Sequence, residues 1–101
     1  MSTVLYLPEA VEDLHAIWRY LSRESGRDHV ANAMIAEIHA AAARYALEPL
    51  LGEQRTDLAP DVRSFRVRRY VAFYVPMATG IEILQVIHGA RDIPQWFRQG
   101  R

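Results

Sequence analysis

The side chains of this sequence best suited to binding an anion are arginines in its C-terminal part. A guanidinium group donates two parallel hydrogen bonds to a phosphate or a carboxylate. These C-terminal arginines stand at positions 63, 66, 68, 69, 91, 98 and 101. Arginine also solvates exposed sheet edges, and Arg91 can pair with Asp92 in a turn, so the pattern leaves both interpretations open.

The charge of the chain is divided between its two parts, although the formal net charge is zero. Residues 1–62 contain five arginines and ten acidic residues, a net charge of −5. Residues 63–101 contain seven arginines and two acidic residues, a net charge of +5, and the chain has no lysine. Such a division suggests that the basic part faces an anionic partner.

The histidines and the clustered acids point to little acid–base or metal chemistry. His15, His29 and His39 lack the spacing of metal ligands, and the acids between Glu9 and Asp13 suit the first turns of a helix. His88 ends an apolar run, where it can act as a general base or cap the turn that follows. There is no cysteine and no nucleotide-binding or hydrolase motif. We therefore expect neither a metal ion nor a cofactor.

Two adjacent aromatic residues stand near the end of the given sequence. Trp96 and Phe97 can stack on nucleic-acid bases, anchor a protein interface or fold back onto the core. We expect Phe97 to fold back onto the core, whereas the role of Trp96 stays open.

Three apolar, β-branched and aromatic runs should position these side chains as strands. They cover Ser64–Val67, Tyr70–Val75 and Ile81–His88, and a hairpin turn over 76–80 joins the last two. The third run is apolar on both faces, with Ile81, Ile83 and Ile87 on one and Leu84 and Val86 on the other. We expect it to be the central strand. Alternation along the first run places Arg66 and Arg68 on one face of the sheet, and Arg63 and Arg69 on the other.

The N-terminal part predicts a short strand followed by two helices. The strand covers Thr3–Leu7, and Pro8 should open the first helix, which Gly26 ends as a left-handed cap. The second helix is rich in alanine, begins near Asp28 and stops before Pro49.

The predicted fold is α+β, as a single domain over residues 1–101. An antiparallel helical hairpin should pack on one face of a mainly antiparallel four-stranded sheet, with a short C-terminal tail. We expect the N-terminal strand at the sheet edge beside the first of the three later strands. The other sheet face keeps apolar residues without evident cover, which predicts a partner lying across it. No apolar run is long enough for a membrane span and no signal peptide is evident, so we expect a cytoplasmic protein.

These residues carry a resemblance to a known family. The segment RSFRVRRYVAFYV, a short turn and the segment IEILQVIHGARDIPQWF resemble the C-terminal half of the RelE/ParE superfamily of bacterial toxins, closer to its ParE branch. The N-terminal strand, the helix AVEDLHAIWRYLSRES and the alanine-rich helix ending in EPLLG fit as well. The resemblance implies a toxin of a type II toxin–antitoxin pair, in a hetero-oligomer with a cognate antitoxin. It also implies that operator DNA is bound only through the antitoxin.

The two branches of the superfamily imply different targets. RelE-like members cleave mRNA on the ribosome with basic residues and a C-terminal tyrosine. Arg91 matches the family arginine after the last strand, but Phe97 stands at the tyrosine position and Val71 at another arginine position. ParE-like members poison DNA gyrase and need no active site of their own, which fits this sequence better and argues against an enzyme. We expect the residues that contact the target to be Arg66, Arg68, Arg91, Trp96, Phe97 and Arg98.

Two alternatives remain open at the level of sequence. One is a ribosome-dependent mRNA endonuclease that uses Arg91 and His88. The other is a non-toxic module that binds the antitoxin and acts only in the regulation of its own operon.

Overall fold

A computed structural model describes residues 2–89 and has the predicted α+β architecture. Strand β1 is followed by helices α1 and α2 and then by strands β2, β3, β4 and β5. Their bounds are Thr3–Tyr6, Pro8–Ser25, Asp28–Leu47, Glu53–Gln54, Arg63–Val67, Tyr70–Met77 and Gly80–His88 in that order. The helices pack on one face of the sheet, so the molecule has two layers. Within the described residues, no helix is long and apolar enough to cross a membrane.

Local signals set the ends of both helices as predicted. Helix α1 begins at Pro8 and ends at Gly26, which adopts a left-handed conformation with φ of 70° and donates its N–H to the Ser22 carbonyl. Helix α2 ends at Leu47, because the proline that follows Glu48 disfavours a further helical residue.

The sheet has five strands in the order β1-β5-β4-β3-β2, one more than predicted. The additional strand β2 pairs antiparallel with β3 through Glu53 and Gln54. It was missed because it is two exposed polar residues long and has no apolar alternation.

The N-terminal strand lies at the sheet edge, as predicted, but its predicted neighbour was wrong. Strand β1 pairs in parallel with β5, the last strand, rather than with β3. Only Leu7 separates β1 from α1, and α1 packs on β5, where the Asp13 carboxylate accepts the Val86 N–H at 2.8 Å. The short link therefore holds β1 beside β5. Strand β5 is an inner strand, but the central strand of the five is β4, so the expectation that β5 would be central was wrong.

A β-bulge changes the faces of β5. Tyr74 pairs with Ile83 and Phe73 pairs with Gln85, so Leu84 is an extra residue without a partner position on β4. Beyond the bulge, Val86 faces the helices and Ile87 faces the opposite side. The predicted faces of these two residues were therefore interchanged.

The core has two parts, one on each side of the sheet. The larger part fills the space between sheet and helices and includes Tyr74, Ile38, Ile81 and Ile83, all almost fully buried. On the outer face, Phe73 and Leu84 pack with Leu58 and Val62 from the segment between β2 and β3. The chain thus covers part of the face that was expected to lack cover of its own.

Candidate functional site

Exposed arginines gather where β3 ends and β5 ends, and we call this region, formed by Arg66, Arg68, Arg69, His88 and Gly89, the arginine end. Strand β3 turns into β4 through the two residues Arg68 and Arg69, since Val67 pairs with Tyr70. The Gly89 N–H donates to the Arg69 carbonyl at 2.6 Å and fastens the end of β5 to this turn.

Arg66 lies on the outer face of the sheet. Its neighbours Phe65 and Val67 belong to the helix-side core, so alternation along the strand directs Arg66 away from the helices. The side chain is exposed, and its guanidinium group lies against Gly89: a β-carbon at position 89 would be 2.8 Å from Nη1 and 3.3 Å from Nη2. The glycine therefore leaves room for a charged group to lie on the main chain.

Arg68 points the other way, which corrects the expectation that it shares a face with Arg66. Its φ of 53° is left-handed, and Arg68 is the one described residue other than glycine with a positive φ. The side chain consequently reaches α2, where Nε donates to both carboxylate oxygens of Glu37 at 2.9 and 3.0 Å. Both side chains are exposed, so this ion pair contributes little stability.

His88 lies beside an open cleft of about 280 Å³ between α1 and β5. Its ring meets that of Tyr70 edge to face, with centroids 5.7 Å apart. Asp13 and Tyr20 line the same cleft. The cleft is thus bordered by an imidazole, a phenol and a carboxylate. Sequence spacing did not predict this grouping, because the residues come from α1, β4 and β5.

A second groove lies between α1 and α2 beside β1 and is lined by apolar and aromatic residues, among them Val11, Trp18 and Ile35. The Tyr6 hydroxyl is hydrogen-bonded to His39 Nδ1 at 2.6 Å, and burial raises the pKa of Tyr6 to about 12. His39 therefore serves as the partner of a tyrosine. Among residues 2–89, no three residues with metal-binding side chains come close enough to hold an ion.

The remaining candidate residues, Arg91, Trp96, Phe97 and Arg98, lie outside the described residues. Their assignment to target contact stays a prediction. Gly89 is the contributor to the arginine end that sequence analysis missed. The signal was its place after His88 at the end of a strand, where a glycine can mark a close approach.

Comparison with known proteins agrees with this architecture. A family model described as "ParE toxin of type II toxin-antitoxin system, parDE" matches residues 4–93. No curated protein sequence matches the chain. Among solved structures, a chain of the chromosomal ParDE system from P. aeruginosa superposes with a TM-score of 0.73 at 20% identity, covering 87% of this chain and 96% of that chain. This structural likeness shows the fold.

Proposed function

The chain belongs to the family of ParE toxins of type II toxin–antitoxin systems, and on that premise we propose that it inhibits DNA gyrase and is neutralised by a cognate antitoxin. Gyrase acts on the chromosome, so the proposal includes a cytoplasmic location. No described residue needs to act as an acid, a base or a nucleophile in this activity, because a poison only has to bind and hold its target.

The arginine end is the observation that carries the proposal. Arg66 is exposed, and its guanidinium group lies against the main chain of Gly89. Arg69 is exposed on the adjoining turn. Two cationic groups held at one end of a rigid sheet fit an anionic surface, such as the DNA that gyrase holds or a carboxylate of the enzyme. Arg91, Trp96, Phe97 and Arg98 follow β5 directly in sequence, and we propose that they extend this contact.

For the antitoxin we propose an acidic, amphipathic segment that orders on binding. The outer sheet face supports this choice, because a row formed by Arg66, Val71 and Ile87 crosses three neighbouring strands there. Val71 and Ile87 are only half-buried. Such a row offers an apolar strip beside a cation, and bound to it an antitoxin would also cover part of the arginine end.

The proposal is tested with toxin separated from its antitoxin by denaturation and refolding. The toxin is added to purified gyrase, relaxed plasmid and ATP, with toxin premixed with antitoxin as the control. We expect free toxin to abolish supercoiling and the premixed complex to leave it unchanged. Normal supercoiling in the presence of folded toxin would contradict the proposal.

A ribosome-dependent mRNA endonuclease is the second candidate, and the cleft beside His88 is the observation that favours it. His88, Tyr70 and Asp13 border one depression large enough for part of a nucleotide. This activity would cleave mRNA only on ribosomes and would be lost in His88→Ala. Toxin that arrests growth, spares mRNA and keeps its toxicity in His88→Ala would exclude the endonuclease. Normal growth on expression of the chain alone would favour a non-toxic module instead.

A further inference from the structure

Three exposed leucines stand at the opposite end of the sheet from the arginine end. Leu47 and Leu50 are each 69% exposed and Leu51 is 59% exposed. They lie at the end of α2 and in the loop that follows it, and we call this surface the leucine end. Grouped exposed leucines are unusual on a small protein and commonly mark an interaction surface.

The loop that carries these leucines is held in place by buried polar groups. The Tyr74 hydroxyl donates to the Pro49 carbonyl at 2.7 Å and accepts the Gly52 N–H at 3.0 Å. Arg63 Nη1 donates to the carbonyls of Leu50 and Gly52 at 2.9 and 2.8 Å. The leucines are thus presented on a fixed main chain, which lowers the entropy lost when a partner binds.

A groove continues the surface toward the β4–β5 turn. Its volume is about 370 Å³, and Leu50, Pro60, Val62 and Pro76 supply its apolar walls. Two of these walls are prolines, whose rings are rigid. Gln54, Asp61 and Arg63 also line the groove. The groove therefore offers a preformed place for a partner side chain with an apolar stem and a polar end.

Charges around the leucine end restrict the kind of partner. Glu48, Glu53 and Asp61 are exposed and form no ion pair among the described residues. The cations nearby are Arg44, which is exposed, and Arg63, which is half-buried and donates to the carbonyls of Leu50 and Gly52. The exposed charge of this surface is therefore mainly negative. Carboxylates repel nucleic-acid phosphates. They would also face each other if two copies met through this surface, and they would repel an acidic antitoxin segment. The complementary partner is a protein surface with apolar and basic side chains.

We propose that the leucine end is a second contact surface of the toxin and that its occupant is gyrase itself, through a basic and partly apolar region of the enzyme. This inference rests on the proposed function. An enzyme that binds DNA exposes arginine and lysine along the DNA path, and the carboxylates of the leucine end match such a region. Strand β4 connects the two ends over about 25 Å, so the toxin would bridge two sites on its target.

The first variant removes the apolar contact without touching the core. Leu50→Ser with Leu51→Ser changes two exposed side chains, and Leu5→Ser with Val30→Ser is the matched control on exposed apolar residues elsewhere. We expect the leucine-end variant to weaken gyrase binding and inhibition at least ten-fold, with its Tm, its antitoxin affinity and the control variant unchanged.

The second variant reverses the charge. Glu48→Lys, Glu53→Lys and Asp61→Lys should weaken gyrase binding further, whereas Glu9→Lys, Glu12→Lys and Glu24→Lys make the same change of net charge on exposed positions of α1 and should not. Unchanged gyrase binding in the leucine-end variants, or loss of antitoxin binding with gyrase inhibition intact, would overturn the inference while the proposed function stands. Failure of wild-type toxin to bind gyrase would overturn both.

Discussion

The guanidinium group of Arg66 lies on the main chain of Gly89, at a distance that excludes a β-carbon at position 89. The two residues come from β3 and from the end of β5, which are separated in the sheet by β4. Gly89 does not adopt a left-handed φ, so its backbone conformation does not require a glycine. A substitution at this position would instead fill the space that the Arg66 guanidinium group occupies.

Gly89→Ala should therefore act on function through Arg66. The methyl group displaces the end of the flexible Arg66 side chain and lies 3.2 Å from the Arg69 carbonyl oxygen, which must move slightly. We expect the fold to tolerate this small shift, while gyrase inhibition should fall several-fold. Arg66→Ala should cost more, about ten-fold to a hundred-fold, as expected for the loss of a charged hydrogen bond. The measurement is the toxin concentration that halves supercoiling.

The double variant of Gly89 and Arg66 distinguishes positioning from a direct role of the glycine. If Gly89 acts through Arg66, Gly89→Ala adds nothing in the Arg66→Ala background. Additive losses would show that the two residues act independently and would contradict this account.

Arg68→Gly should be more stable than Arg68→Ala by about 1 kcal/mol. Both variants lose the ion pair with Glu37, but only glycine adopts the left-handed φ of position 68 without steric cost. Urea denaturation of the two variants measures the difference in the free energy of unfolding. Equal stabilities would mean that the turn relaxes when the side chain is shortened.

Tyr74→Phe should lower the free energy of unfolding by about 1–3 kcal/mol, because the Gly52 N–H and the Pro49 carbonyl lose a shared buried partner. Tyr20→Phe is the control, since Tyr20 is 55% exposed and should change stability by less than about 0.5 kcal/mol. Both values come from urea denaturation. A Tyr74→Phe protein as stable as the control would show that water replaces the hydroxyl.

The stability of the fold should decrease at alkaline pH through Tyr6. Burial raises the pKa of Tyr6 to about 12, above the value of about 10 in an unfolded chain. The stabilisation from the neutral phenol is thus complete below pH 10 and is lost as the pH rises toward 12. Denaturation midpoints of wild type and Tyr6→Phe should converge over this interval. A constant difference between them would contradict the raised pKa.

Features fixed by neighbouring residues could be predicted from the sequence. Gly26 and Pro49 indicated where the two helices end. The three apolar runs indicated β3, β4 and β5 within two residues of their observed ends. The family resemblance was likewise carried by continuous segments, and the match over residues 4–93 confirmed it.

Features set by contacts distant in sequence could not be predicted. The place of β1 depends on how α1 packs on β5, and the faces of Val86 and Ile87 depend on an extra residue in the ladder. Arg68 was assigned to the face of Arg66 because strict alternation was extended into a turn with a positive φ. The place of Gly89 after a strand could have indicated a close approach, but not that Arg66 makes it, since the contact joins two strands that are not adjacent.

The most direct test of the central claim asks whether the toxin traps gyrase on cleaved DNA. Refolded toxin is incubated with gyrase, supercoiled plasmid and ATP, and the bound protein is then digested before electrophoresis. We expect linear DNA that increases with toxin concentration, disappears when antitoxin is added first and decreases in Arg66→Ala. Plasmid that remains uncleaved at toxin concentrations sufficient to saturate the enzyme would contradict it.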